Sequence, residues 1–230
     1  MTEQSVDAKD TISHQESVTA TGISHRFGRT SALTDVSLAI MPGELTALTG
    51  ANGGGKSTLM RILAGHLSPS KGAVTRPRDV MLMAGWRPLW ADQTVASLAG
   101  HFSRRHAGFD HSVFNDGLAA FGLEARSKFS SVGQRSAGLA CLALATRAEF
   151  TMLDEPERGM DDRSRSILMQ LVSDELAEHP RTLLMATHHI DEAAPWCSKF
   201  LVLTRGRITL DAEVDEIAER YHWVTGPEGA

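Results

Sequence analysis

Cysteine, long apolar segments and clusters of basic residues are all scarce in this sequence. Among its 230 residues are two cysteines, Cys141 and Cys197, which lie far apart and lack the spacing of metal ligands. This usage is typical of a reducing cytosol and predicts two inert thiols in the core. The longest apolar segment, Gly138 to Ala145, is well short of the roughly 18 to 20 residues that a bilayer span requires. The chain is therefore not expected to cross a membrane by itself.

The charge balance argues against a second group of functions. The net charge is −5, the pI is about 6.0 and no run of Lys or Arg stands out, so no nucleic-acid partner is expected. A hydrophobic content of 42% indicates a globular chain with a core. Residues 1–18 are polar, mixed in charge and without the apolar run of a signal peptide. We expect them to form a disordered cytosolic tail ahead of one folded domain, residues 19–230.

The most informative segment is a glycine-rich loop that follows an apolar strand. Residues 50–58 read GANGGGKST and fit the phosphate-binding pattern G-x-x-x-x-G-K-[ST] at every required position. Glycines let successive backbone N–H groups turn toward an anion, and the following helix adds the positive end of its dipole. Lys56 is expected to contact the β- and γ-phosphates, and the Ser57 hydroxyl to coordinate Mg²⁺. The predicted nucleotide-binding residues in this loop are Gly50, Asn52, Gly53, Gly54, Gly55, Lys56, Ser57 and Thr58.

Two acidic residues end a later apolar strand. Residues 150–156 read FTMLDEP, and a carboxylate at the tip of a strand beside a phosphate loop suits Mg²⁺. Asp154 is predicted to be the acid on the metal side, and Glu155 the base or orienting group for an attacking water. Acids at strand ends are also often solvated or cap helices, but the complete phosphate loop upstream favours the catalytic interpretation.

Alternating strand and helix patterns predict an α/β fold with a P-loop NTPase core and a mostly parallel sheet. Residues 19–27 and 32–41 are expected to form an N-terminal antiparallel β layer, and residues 69–77 a turn region. Apolar residues at helical spacing predict a small helical subdomain inserted at about residues 94–147. Residues 200–210 indicate a β-hairpin.

Together these segments resemble the ATP-binding cassette (ABC) ATPases that drive membrane transporters, over nearly all of residues 19–219. The resemblance implies that Phe27 stacks on adenine, that Asp161 is the D-loop aspartate and that His188 is the switch histidine at the γ-phosphate. Each residue alone has a simpler explanation, as a core aromatic, a helix N-cap and a surface imidazole. Their joint order and spacing favour the family, which implies ATP and Mg²⁺ as ligands and Glu155 and His188 as catalytic residues.

Residues 130–134, SSVGQ, lie where the family places its signature, usually LSGGQ, which closes on ATP held by the other subunit of a dimer. The resemblance implies that Ser131, Gly133 and Gln134 act in this way. Val132 replaces a glycine. A β-branched residue is strained there by on the order of 1–2 kcal/mol if its φ is positive, and not at all if its φ stays negative.

A second departure concerns a glutamine that the family normally places after the strand following the phosphate loop. Residues 80–90 contain none, and Gln93 lies too far along the chain. Trp86 and Trp90 occupy this segment, where they either anchor a protein interface or pack under the loop.

A looser resemblance, to exporter-type ATPases that pair with ABC-2-like permeases, rests on Phe109, Asp110, Lys128 and the segment 121–123. Antimicrobial-peptide and drug exporters are among them. We expect an ATPase subunit on the inner face of the cell membrane, bound to a separate permease chain. It would work as a homodimer or as a heterodimer with another ABC ATPase, and the altered signature favours the heterodimer. A soluble ABC-type ATPase and a nucleotide-sensing module with weak hydrolysis are the alternatives.

Overall fold

A computed structural model describes residues 16–84, 94–126 and 131–220. Its centre is a six-stranded sheet whose spatial order is β5-β6-β7-β3-β8-β9. The strands are β3 (Leu45–Thr49), β5 (Val80–Met83), β6 (Phe150–Asp154), β7 (Thr182–Ala186), β8 (Lys199–Thr204) and β9 (Arg207–Glu213). All pair in parallel except β9, which is antiparallel to β8. The predicted α/β class with a mostly parallel sheet is confirmed.

A smaller antiparallel sheet covers one side of the molecule, in the order β2-β1-β4. Its strands are β1 (Val18–Phe27), β2 (Thr30–Ile40) and β4 (Lys71–Thr75). The N-terminal β layer is thus confirmed, but the expectation of a turn over residues 69–77 is wrong, because Lys71–Thr75 pairs with β1. The first strand begins at Val18, which is fully buried and pairs with Ile40, although the sequence assigned this residue to the tail.

Helices cover both faces of the central sheet. They are α1 (Lys56–Leu63), α2 (Val95–Arg105), α3 (His111–Ala120), α4 (Val132–Ala145), α5 (Asp162–Glu178), α6 (Ile190–Ala193) and α7 (Val214–Arg220). On one face, α1 packs between the antiparallel layer and buried strand residues such as Leu48 and Met152. On the other face, α4 and α5 pack against Ala47 and Leu153. Neighbouring strand residues thus point to opposite cores, as the period of a β-strand requires.

The helices α2, α3 and α4 lie within the segment 94–147, which the sequence predicts to be a helical insertion. They enclose a core of their own. A partly buried ionic cluster joins this core to the rest of the domain. Arg147 pairs with Asp110 and with Glu175, each at 2.9 Å, and the buried Arg181 pairs with Glu175 at 3.0 Å.

Some sequence predictions concern residues outside the described ranges. These residues are Trp86, Trp90, Gln93, Lys128 and Ser130. Within the described ranges, every helix is too short or too polar to span a bilayer.

Candidate functional site

The glycine-rich loop connects the central strand β3 to α1, at the carboxyl edge of the parallel sheet. Gly50 has φ +141°, and a Cβ built there would lie 2.1 Å from the carbonyl oxygen of Leu203. The backbone therefore passes so close to β8 that only glycine fits. The Gly54 N–H donates to the Ala51 carbonyl at 2.9 Å, which closes the tip of the loop. A cradle of backbone groups before a helix N-terminus fits a phosphate group.

The turn between β8 and β9 supports this loop from behind. The Gly206 N–H donates to the Gly54 carbonyl at 2.9 Å, and the Gly206 carbonyl accepts from the Thr34 N–H at 2.8 Å. The hairpin that the sequence indicated is confirmed by the pairing of β8 with β9. Its contact with the loop was not predicted, because the contact joins segments about 150 residues apart and neither carries a local signal for it.

Lys56 begins α1 and is only 5% exposed. Its Nζ donates to the Gly50 carbonyl at 2.7 Å and lies 3.4 Å from Nε2 of His188. A buried ammonium group needs such partners because it has lost its hydration. The lysine thus places one positive charge inside the loop.

Ser57 and Asp154 meet at the end of β6. The Ser57 hydroxyl lies beside the Asp154 carboxylate, close enough to affect its pKa, and Asp154 is 7% exposed. Burial raises the pKa of Asp154, and the Ser57 hydroxyl opposes that rise. A hydroxyl and a carboxylate side by side form the oxygen donor set that Mg²⁺ prefers. The residues present therefore fit a magnesium ion that arrives with its triphosphate.

Glu155 and His188 face each other at the ends of adjacent strands. The Glu155 Oε1 and His188 Nε2 atoms are 2.9 Å apart, with both side chains partly exposed. Glu155 has φ +52°, a costly conformation for a residue with a side chain. Its N–H nevertheless continues the ladder by donating to the Ala186 carbonyl at 3.0 Å. Such local strain is typical of functional sites.

Phe27 lies at the end of β1 with 52% of its surface exposed. Its ring meets the buried His25 ring edge to face, with centroids 4.7 Å apart. The sequence left open a core aromatic at this position, and the exposure excludes that alternative. An exposed aromatic ring that packs against a buried neighbour offers a flat surface on which a nucleotide base can stack.

The segment that resembles the family signature begins α4. Ser131 caps this helix by accepting a hydrogen bond from the Gln134 N–H at 3.2 Å. The φ angle of Val132 is not positive, and the residue is 49% exposed. The strain that a positive φ would have caused is therefore absent. Gly133 packs on the neighbouring loop so closely that a Cβ there would lie 2.3 Å from the Gly159 carbonyl oxygen.

Asp161 caps the next helix, α5, by accepting from the Ser164 N–H at 2.8 Å. The simpler explanation, a helix N-cap, is thus a property of this residue in the isolated chain. The residue is exposed, and the hydrogen bonds of its carboxylate to Ser164 lower its pKa.

Four further residues near the site were not predicted from the sequence. Glu157 accepts a hydrogen bond from the Thr187 hydroxyl, and Arg165 donates to the Glu192 carboxylate. Thr187 directly precedes His188, and this position in the chain is the one signal in the sequence that could have pointed to it. The pairs themselves are tertiary contacts between distant segments, so the sequence carries no spacing signal for them.

Comparison with known proteins identifies the family. A family model described as ABC transporter matches residues 33–158. The chain is 31% identical over 207 residues to aliphatic sulfonates import ATP-binding protein SsuB 1 of Rhodococcus jostii (strain RHA1), covering 87% of this chain and 84% of that protein. It is 31% identical to a putative ABC transporter ATP-binding protein of Streptomyces avermitilis, covering 84% of this chain but 37% of that longer protein.

A solved structure shares the fold. The dimeric structure of a post-hydrolysis state of the ATP-binding cassette MJ0796, bound to ADP and Pi, matches with a TM-score of 0.75 and 20% sequence identity. The match covers 86% of this chain and 98% of that chain. These relatives do not support the expected exporter type. The family model and the Rhodococcus relative, together with the loop and its acidic neighbours, show that the chain belongs to the ABC transporter family, as an ATP-binding subunit with ATPase activity.

Proposed function

We propose that this chain binds MgATP in the loop 50–58, hydrolyses it and thereby drives a separate membrane permease. The observation that carries the proposal is the meeting of four ionisable groups at one edge of the sheet, beside the glycine cradle. They are Lys56, Asp154, Glu155 and His188. Short contacts join His188 to Lys56 and to Glu155, and Asp154 lies beside Ser57, close enough to feel the charges of Lys56 and Glu155. Phosphoryl transfer requires mainly positioning and charge neutralisation, which these groups supply.

Each side chain has a defined role in this proposal. The loop amides and Lys56 hold the β- and γ-phosphates, and Phe27 stacks on the adenine. Ser57 and Asp154 hold Mg²⁺, which neutralises phosphate charge when it is bound. Glu155 orients the attacking water and accepts its proton, while His188 fixes that carboxylate and contacts the γ-phosphate.

Dimerisation is the second part of the proposal. Ser131 and Gly133 stand at the exposed N-terminus of α4, where a helix dipole favours an anion. We propose that they, with Gln134, close on ATP held by a facing cassette, which Asp161 also reaches. Val132 begins the helix without a positive φ, so this signature need not be weak and a homodimer is as well supported as a heterodimer.

Transport direction and location complete the proposal. The Rhodococcus relative is named as an import protein, which favours import over the export expected from the sequence. Its substrate does not transfer, because the cassette contacts the permease rather than the cargo. We place the chain in the cytoplasm on the inner face of the membrane, with the segment 94–147 as a helical subdomain beside the permease.

The decisive experiment combines nucleotide binding, turnover and capture of the permease. Purified protein is tested for Mg²⁺-dependent binding of a fluorescent ATP analogue and for phosphate release. Detergent-extracted membranes are then searched for a polytopic protein that co-purifies with the chain. Binding, turnover and a permease together support the proposal. Turnover without any membrane partner would favour the soluble ATPase.

One alternative has a specific observation in its favour. Residues 80–90 contain no glutamine, so a group that normally touches Mg²⁺ or the attacking water in this family is missing there. If the chain is a nucleotide-sensing module, the wild-type protein should bind MgATP yet release phosphate hardly faster than the Glu155→Gln variant, with or without the permease.

A further inference from the structure

Two side-chain contacts connect the segment that follows Glu155 to the segment that carries His188. The first joins Glu157 to Thr187, and the second joins Arg165 to Glu192. They lie on either side of the switch histidine in the chain, one directly before it and one four residues after it. We call them the Glu157–Thr187 contact and the Arg165–Glu192 contact.

The Glu157–Thr187 contact is buried. The Thr187 hydroxyl donates to Oε1 of Glu157 at 2.6 Å, and the two residues are 2% and 8% exposed. The same hydroxyl accepts from the His189 N–H at 3.0 Å. Since one hydrogen bond is donated and one accepted, the hydroxyl has a fixed orientation. The contact therefore determines the backbone on both sides of His188.

The Thr187 backbone is also anchored to the central strand. Its N–H donates to the Leu48 carbonyl at 3.1 Å, two residues before the glycine-rich loop begins. A buried carboxylate such as that of Glu157 is costly unless a donor satisfies it. Loss of the Thr187 hydroxyl would thus remove a partner that Glu157 needs and free the turn at the same time.

The Arg165–Glu192 contact anchors the far end of residues 187–192, which carry His188 and which we call the switch segment. The Arg165 Nε lies 2.9 Å from both carboxylate oxygens of Glu192, and its Nη1 donates to the Met160 carbonyl at 3.1 Å. Arg165 is 16% exposed and Glu192 is 39% exposed. Because this pair is partly solvated, we assign the larger effect to the buried contact.

We propose that Glu157 and Thr187 are positioning residues for ATP hydrolysis. They hold the turn after β7 so that the His188 imidazole stays 2.9 Å from Glu155 and 3.4 Å from Lys56. This inference rests on the proposed function. Neither residue needs to touch the nucleotide, since each acts through the backbone of His188. Arg165 and Glu192 give the same segment a second, weaker support.

The test compares Thr187→Val, which replaces the hydroxyl by a methyl group of similar size, with Thr187→Ser, which keeps the hydroxyl. In the protein without nucleotide, hydrogen exchange of the amides 187–192 should accelerate by about tenfold or more in Thr187→Val. The kcat for ATP should fall by about 10²-fold, as expected for a misplaced catalytic group. The affinity for a fluorescent ATP analogue should stay at the wild-type value. Thr187→Ser should resemble the wild type in all three measurements.

The matched control is Thr151→Val. Thr151 is fully buried in β6, and its hydroxyl donates to the Ala148 carbonyl at 3.2 Å, away from the switch segment. This variant should lose stability, yet keep its kcat and the exchange rates of residues 187–192. Glu157→Met removes the acceptor of the same hydrogen bond and should give the same changes in exchange and kcat, so it replaces Thr187→Val as the test should that variant fail to fold. Where both single variants fold, the double variant should show little further change, because both substitutions break one contact.

The outcomes separate this proposal from the proposed function. The positioning role would be overturned if the amides of residues 187–192 exchanged as slowly in Thr187→Val and Glu157→Met as in the wild type, whatever the turnover of these variants. So would a Thr187→Ser variant that loses as much kcat as Thr187→Val. A wild-type protein that releases no more phosphate than Glu155→Gln would instead overturn the proposed function. The exchange measurement needs no nucleotide and would still decide whether the contact holds the segment.

Discussion

Oε1 of Glu155 and Nε2 of His188 are 2.9 Å apart, although 33 residues separate them in the chain. The distance is set by the parallel pairing of β6 with β7, in which Asp154 lies opposite Ala186. Both side chains follow the ends of these strands. The sheet therefore brings a carboxylate and an imidazole together at the edge where the glycine-rich loop begins.

We expect Glu155→Gln to bind ATP with wild-type affinity but to lose turnover by about 10²–10⁴-fold. The amide keeps the shape of the side chain and its contact with His188, but it cannot accept a proton, and general-base catalysis contributes about that factor. Phosphate release and binding of a fluorescent ATP analogue provide the measurements. The control is Glu149→Gln, which makes the same change at an exposed residue next to the opposite end of β6. Equal turnover in Glu155→Gln and wild type would remove Glu155 from the mechanism.

Gly50→Ala should lower the free energy of unfolding more than Gly53→Ala does, although both glycines have positive φ. A Cβ at Gly50 would lie 2.1 Å from the Leu203 carbonyl oxygen, whereas a Cβ at Gly53 would meet nothing within 4 Å. Both variants carry backbone strain of on the order of 1–2 kcal/mol. Gly50→Ala adds a steric cost of about 1–3 kcal/mol, because the β8 backbone must move.

Urea unfolding and binding of the fluorescent analogue test this comparison. Gly50→Ala should have the lower free energy of unfolding and the weaker nucleotide binding, since β8 and the loop move together. Equal losses of stability in the two variants would contradict the close approach of Gly50 to β8.

These relationships show how far the sequence alone could lead. The order of strands and helices was predictable, since apolar periodicity records burial directly. The strand Lys71–Thr75 was missed because its residues are exposed or half-buried, so burial imposes no apolar pattern on them. The Gly54 to Gly206 and Glu157 to Thr187 hydrogen bonds were also missed, because they depend on how distant segments pack. The loop and its acidic neighbours were visible because their chemistry demands particular residues at fixed spacing.

The stability of the junction between the helical segment and the rest of the domain should depend on pH, because Asp110 is ionised there. Its Oδ1 accepts from the Ser112 hydroxyl and N–H, and its Oδ2 lies 2.9 Å from Nη1 of Arg147. Chiefly through the Ser112 hydroxyl, these contacts lower the pKa of Asp110 below its usual 3.8. A lowered pKa means that the folded state favours the ionised form. The resulting stability is present above pH 3.8 and is lost as the pH falls through the folded-state pKa.

Asp110→Asn tests this dependence, because asparagine still caps α3 but carries no charge. At pH 7 the variant should lose about 0.2–1 kcal/mol of unfolding free energy, the usual range for a partly exposed ion pair. Denaturant unfolding across a pH series provides the measurement. The difference from wild type should shrink as the pH falls to 3.8 and below. A difference that stays constant across this range would contradict the role of the charge.

Val132 and Gly159 should be coupled, because the valine occupies the space that a larger residue would need at position 159. A Cβ at Gly159 would lie 2.9 Å from Cγ1 of Val132, and the backbone there has φ +74°. Gly159→Ala therefore suffers both a clash and backbone strain, and Val132→Gly removes the part of the clash that the valine side chain causes. In the double variant the backbone strain, the loss of valine and the 3.0 Å approach to the Gly133 nitrogen remain. The four proteins form a double-mutant cycle that isolates the contact.

We expect Gly159→Ala to lose less unfolding free energy in the Val132→Gly background than in the wild type, with a coupling of about 0.5–3 kcal/mol for residues in contact. Val132→Gly alone should bring no gain in ATP turnover, since the valine has a helical backbone and glycine near a helix start offers no relief of strain. Additive effects within experimental error would show that Val132 does not touch the loop. A several-fold rise in turnover in Val132→Gly would instead show that the valine obstructs the facing subunit's ATP, and would restore the case for a partner with a different signature.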